Sequence, residues 1–168
     1  IFLNISLSVI MSLIIVDISP KLIYVAPICI FPLLTKTFFD SRIAFFIHIV
    51  SVLIISFTVL NGFEYIFIQI LAGIISILST SQIYKRANLF ISVAQIIFMY
   101  FLGYIVFYLI TSGKIEKIDL TKFSFFLANG MLTLFVLPLI YFYEKIFFLV
   151  SDVSLLELSD TNSPLLKE

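Results

Sequence analysis

The sequence predicts an all-α fold, a polytopic membrane helical bundle of about six transmembrane helices followed by the start of a helical linker. Three observations carry this reading. First, 62% of the 168 residues are hydrophobic and 12% charged, with a mean hydropathy of +1.22. A soluble domain holds about 45–50% apolar and roughly 25% charged residues, and the surplus here does not fit inside a globule of this size. Second, the apolar residues are gathered into long runs free of charge. Third, those runs are too long and too evenly apolar for barrel strands, which are about 9–11 residues of alternating polarity.

The runs are 1–16, 22–35, 43–63, 65–84, 87–113 and 123–143. A helix needs about 20 apolar residues to cross the hydrocarbon core, and the last four runs meet that length. The first falls short, and because the chain opens on Ile1 it is expected to be the remainder of a longer N-terminal part. It has no basic start and no small-residue cleavage site, so no signal peptide is identifiable in it. The second run is bracketed by Lys21 and Lys36, whose long side chains can snorkel outward. Pro27 and Pro32 lie inside it, so a kinked or re-entrant segment is expected there. Residues 17–21, 36–42, 61–64 and 85–86 leave room only for tight turns, so neighbouring helices run up and down; 111–122 is the longest loop.

Beyond residue 150 the character changes. In 151–168, Ser151 or Asp152 can cap a short amphipathic helix, and Ser163 with Pro164 reads as the start of a second one. The chain is therefore divided into a membrane module, 1–150, and a linker, 151–168. A cytoplasmic C-terminus would place Lys36, Arg42, Lys85, Arg86 and Lys145 inside, and Lys21, Lys114, Lys117 and Lys122 outside. The bias is small but favours that orientation. Ten basic and ten acidic residues give no net charge and no footprint for nucleic acid. A single cysteine, Cys29, makes no internal disulfide.

Polar groups within spans are costly and are the first functional candidates. They are His48, Gln69, Gln95 and Asn129. One imidazole cannot build a metal site, so His48 is expected near the cytoplasmic interface, hydrogen-bonded to a neighbour or a headgroup. Ser51 and Ser56 share its run without flanking glycines, while Asp17 and Asp40 sit at span ends. Neither a serine nor an aspartyl intramembrane protease has its geometry here. Asn129-Gly130 reads as a contact between helices with a glycine that permits close approach, and a ligand cavity shared with Gln69 or Gln95 is the alternative. Ala72, Gly73 and Ser76 read as a packing seam. No catalytic, cofactor or metal site is expected within these residues.

The tail carries a resemblance. Leu155, Leu156, Glu157, Leu158, Ser159 and Asp160, then Asn162, then Pro164, Leu165 and Leu166 resemble the linker of bacterial seven-transmembrane receptors with an intracellular HD phosphohydrolase domain. Asp40-Ser41-Arg42, Asn61-Gly62, Gly73, Arg86, Asn129-Gly130, Pro138-Leu139 and Glu144 agree with it. Ser163 stands where many members have His, and serine caps a helix well. The resemblance implies a sensor and anchor in the bacterial cytoplasmic membrane, with the lipid bilayer, an extracellular domain and an HD domain as partners and a homo-oligomer compatible with it. It places the first of seven helices upstream of Ile1. The HD domain would bind two divalent metal ions and hydrolyse cyclic di-AMP, and Leu155, Leu156, Glu157, Asp160, Asn162 and Pro164 would couple the signal to it. Two rivals share the span count. One is a six-helix substrate-binding subunit of an energy-coupling-factor transporter, holding a vitamin or metal; the other is a purely structural anchor.

Overall fold

The computed structural model of the chain describes residues 2–79, 86–113 and 119–148. The expected coupling residues Leu155, Leu156, Glu157, Asp160, Asn162 and Pro164 lie outside the described residues, as do Lys85, Lys114 and Lys117.

Polar residues turn inward and apolar ones outward, the arrangement that lipid demands. In α1 (Phe2–Ile18), Asn4, Ser8 and Ser12 follow one another at four-residue spacing and are buried, while Leu3, Leu7, Ile10, Leu13 and Ile14 are exposed. Their spacing stacks the polar groups on one helix face. The hydroxyls are satisfied within the helix, Ser12 donating to the Ser8 carbonyl at 2.8 Å and Ser8 to that of Ile5 at 2.8 Å.

Next comes a 3-10 segment (Pro20–Val25), an irregular turn, and α2 (Ile30–Phe38). Together Pro20–Phe38 form one broken rod, as the two prolines predict. Pro32 falls in the first turn of α2, where the missing N–H is not needed, and Pro27 lies in the break. This rod is the centre of the bundle: 67% of it is buried, against 44, 39 and 33% of the three other long apolar segments, Gly62–Ser79, Leu89–Thr111 and Leu120–Phe147. Ile23, Ala26, Ile28, Cys29, Leu33 and Leu34 are sealed into the core.

Around it stand α3 (Ser41–Ser56), α4 (Gly62–Ser79), α5 (Arg86–Ser112), α6 (Leu120–Thr133) and α7 (Val136–Phe147), with no strand among the described residues. The four segments just named are long and apolar enough to cross a membrane; Phe2–Ile18 and Ser41–Ser56 are shorter apolar helices. Six rods thus stand where six runs are read from the sequence, and the chain is a multi-pass membrane protein. The third run ends early. Its helix stops at Ser56, and backbone bonds from Phe57, Thr58 and Val59 to Ile54, Ile55 and Ser56 curl the chain toward α4.

The last run, expected as a single span, is two helices that break at Leu134 and Phe135. Pro138 explains the break. It offers no N–H to the carbonyl four residues back, on Leu134, and its ring crowds that carbonyl. Thr133 adds to the bend by donating to the Asn129 carbonyl at 2.9 Å. Pro138→Ala is expected to straighten the rod, lengthening the distance between spin labels at Ser124 and Lys145 in a pulsed dipolar measurement.

Candidate functional site

The broken second rod touches a polar cluster at each end and another at its break. The first cluster lies where the 57–61 turn and the start of α6 meet. Glu64, in the first turn of α4, pairs with Lys122 of α6, whose ammonium also sits over the rings of Tyr24 and Tyr104, 4.9 and 5.0 Å from their centroids. Aromatic faces attract a cation most strongly where water is thin. Asp119 caps α6, its side chain accepting from the Thr121 N–H at 3.0 Å, and its own N–H donates to the Tyr104 hydroxyl at 3.2 Å. Thr121 holds the Asp119 carboxyl below the usual range.

Beside the ion pair is a cavity of about 180 Å3, lined by Pro20, Lys21, Tyr24, Asn61, Asp119 and Lys122 with three apolar neighbours. Residues from the 3-10 segment, the 57–61 turn and α6 therefore converge on it. The sequence alone placed Glu64 and Lys122 in separate loops. Their pairing, across 58 residues, leaves no periodic trace.

The second cluster is at mid-depth. Where the rod breaks, backbone carbonyls lose their helical donors. Asn129 of α6 supplies its amide N–H groups to two of them, Tyr24 at 3.0 Å and Ala26 at 2.6 Å. Gly130 beside it admits α5 closely: a Cβ there would lie 2.1 Å from Ile97 Cγ1. Cys29 Sγ lies 3.1 Å from the Tyr100 hydroxyl, which donates to Gln69 Oε1 at 2.9 Å. That leaves the Cys29 thiol to donate to Tyr100. The Gln69 carbonyl is 2.8 Å from His48 Nε2. A carbonyl only accepts, so Nε2 carries the proton.

His48 is thus buried at the middle of α3 and bound to a neighbour's backbone. Of the two partners expected for it, a neighbour or a headgroup, the ring has the neighbour, because α3 turns it toward α4. Gly73 makes the space: a Cβ there would fall 2.0 Å from His48 Nε2. Ala72 and Ser76 are buried on the same helix.

Gln69 and Asn129 share this belt; Gln95 does not. It is exposed on α5 and accepts from Ser79 at 2.8 Å, at the margin of an open groove between α4 and α5. Five residues separate it from Tyr100, which turns it about 140° around the helix. Among the described residues no three His, Cys, Asp or Glu side chains gather as metal ligands.

The third cluster ties the start of α1 to α7. Asn4 donates to Thr35 Oγ1 at 3.0 Å, and Tyr143 donates to Asn4 Oδ1 at 2.8 Å. Phe38 stacks on Tyr143 with ring centroids 6.3 Å apart. The rod that supplies Tyr24 to the first cluster thus supplies Thr35 and Phe38 to the third.

The ion pair has a measurable consequence. Glu64→Gln or Lys122→Met alone leaves one charge beside apolar surroundings, and each is expected to cost about 1–2 kcal/mol. The Lys122 side chain is 19% exposed, so water tempers the loss. The double variant should cost less than the two single losses added, as a double-mutant cycle by denaturant titration in detergent would read.

A family model described as a 7TM receptor with intracellular HD hydrolase matches residues 1–151. No curated protein and no solved structure matches the chain.

Proposed function

The chain belongs to the family of seven-transmembrane receptors with an intracellular HD hydrolase, and from that membership we propose that it is the sensing and anchoring module that regulates a cyclic di-AMP phosphodiesterase. The match over residues 1–151 carries this reading. It favours the receptor over the transporter subunit and gives the module something to regulate. The module sits in the bacterial cytoplasmic membrane with the Glu64–Lys122 end outside and the C-terminus inside. The two divalent metals belong to the HD domain, where His and Asp ligands would hold them and the metals would supply activation of water for attack at phosphorus.

The polar clusters supply a route for the signal. A change at the Glu64–Lys122 pair moves the start of α6 or the 3-10 segment. Asn129 fastens these two elements together, so they move as one. The broken rod passes the shift to Thr35 and Phe38, and through Tyr143 to α7. Rods packed this way have discrete arrangements and do not deform continuously. The linker 151–168, through Leu155, Leu156, Glu157, Asp160, Asn162 and Pro164, would hand the change to the HD domain.

The test is a one-residue insertion after Val150 in the full-length receptor, with cyclic di-AMP hydrolysis measured with and without stimulus. One extra helical residue rotates everything beyond it by about 100°. Hydrolysis is expected to persist but to lose its response. An unchanged response would refute rigid coupling through α7.

A further inference from the structure

We propose that the cavity between Lys21, Asn61, Asp119 and Lys122 binds a small zwitterion, an α-amino acid. This rests on the receptor reading above and names the ligand class for its outer end.

Size comes first. The cavity of about 180 Å3 holds about six waters at some 30 Å3 each, below the volume of a drug-sized site. An amino acid of modest side chain fits that space; a nucleotide or an oligosaccharide does not. Lys21, Asp119, Asn61 and Pro20 line it, and all four are exposed. Lys122 reaches it from the start of α6 while paired with Glu64.

Charge narrows the class. Among the described residues, Lys21, Lys122 and Asp119 line the space, and Glu64, paired with Lys122 beside it, brings the sum of these charges to zero. A simple anion entering here gains from the lysines and loses to the carboxylates, and a simple cation meets the reverse. A zwitterion aligned with the array gains from both, its carboxylate toward Lys21 and its ammonium toward Asp119. Specificity of this kind comes from the repulsive partner as much as the attractive one.

A buried group without its hydrogen bond points the same way. Tyr24 lines the cavity and is 6% exposed, and its hydroxyl makes no well-formed hydrogen bond, with the Glu64 carboxylate as its polar neighbour. A buried hydroxyl left so is costly. A ligand's polar group can satisfy it. The backbone of the same residue is held by Asn129 at the break, so occupancy would reach the broken rod directly. Phe125, with Val59 and Leu60, supplies apolar wall for a side chain.

The experiment uses the chain in lipid nanodiscs, challenged with each of the twenty common L-amino acids at millimolar concentration. Thermal unfolding is the first readout and calorimetric titration the second. At least one amino acid is expected to raise the unfolding temperature, as any ligand selective for the folded state must. Its N-acetyl and methyl ester forms, each missing one charge, should bind about tenfold more weakly or worse. Lys21→Gln and Asp119→Asn should each weaken binding by about tenfold. Asparagine caps a helix as well as aspartate does, so Asp119→Asn keeps α6 in place. The proposal is overturned if no amino acid raises the unfolding temperature. It is equally overturned if blocked forms or the two variants bind as tightly as the parent pair. Should no amino acid bind while the insertion after Val150 still abolishes the response, the ligand class is wrong and the receptor reading stands.

Discussion

Gly73→Ala is expected to lower the stability of the bundle by about 3 kcal/mol, the upper part of the range for overpacked cores. The added Cβ would lie 2.0 Å from His48 Nε2 and 2.2 Å from Cδ2, far inside contact distance. The ring cannot simply swing aside. Nε2 is bound to the Gln69 carbonyl at 2.8 Å, and the residue is 1% exposed, enclosed between α3 and α4. Either the helices part or the imidazole gives up its hydrogen bond inside the membrane. The second course leaves a buried donor unpaired, which costs about 1–3 kcal/mol by itself. His48→Ala removes the obstacle, so the double variant should be more stable than Gly73→Ala alone. Unfolding titrations in mixed micelles of all three variants would check this. A double variant no better than Gly73→Ala would mean that His48 is not what the glycine accommodates.

That pair also marks what the sequence could and could not disclose. The six rods are legible because a lipid-facing exterior forces long apolar runs, and nothing in tertiary packing disguises them. The break in the second rod is legible from Pro27 and Pro32. The break in the last rod follows equally from Pro138, yet hydropathy summed along 123–143 has no term for a missing N–H, and that run reads as one span. Side-chain pairing is harder. His48, Gln69 and Asn129 stand out as polar residues in apolar runs, and all three are in the buried belt. Gln95 stands out for the same reason but is turned to the outside by the phase of its helix. Tyr24 and Tyr100 carry no sequence signal, since a tyrosine in an apolar run reads as packing, and Cys29 reads only as a cysteine without a disulfide partner. Glu64 and Lys122 each look like ordinary loop charges until the fold brings them together.

Asn129→Leu is expected to cost about 1–3 kcal/mol and to uncouple the two ends of the module. The leucine keeps the asparagine's branched arrangement of four side-chain heavy atoms, with bulkier methyl groups at its end. What goes is a pair of donors. The Tyr24 and Ala26 carbonyls, at 3.0 and 2.6 Å from the Asn129 amide nitrogen, have it as their bridge to α6. Orphaning a buried carbonyl costs about 1–3 kcal/mol in water-soluble proteins. Hydrogen bonds between membrane helices have been worth less, about 0.6–2 kcal/mol, because the unfolded chain in lipid also finds partners. The Tyr24 carbonyl is orphaned while that of Ala26 keeps the Ile28 N–H at 2.8 Å, so one full loss and part of a second give the stated range. Asn129→Asp separates the amide's donor role from its shape. An ionised carboxylate would face two carbonyl oxygens and offer no donor, so it should be at least as destabilising as leucine. The functional consequence follows from the same two bonds. Lys122 and Asn129 lie on one helix, Tyr24 lies in the 3-10 segment, and Ala26 is its C-cap, where the break begins. Without the amide, a movement at Lys122 no longer pulls on the broken rod, and hydrolysis by the full-length receptor should persist while its response to stimulus falls. If Asn129→Leu leaves both stability and response intact, the carbonyls of the break have found another donor, and the route from the ion pair to α7 does not pass through this residue.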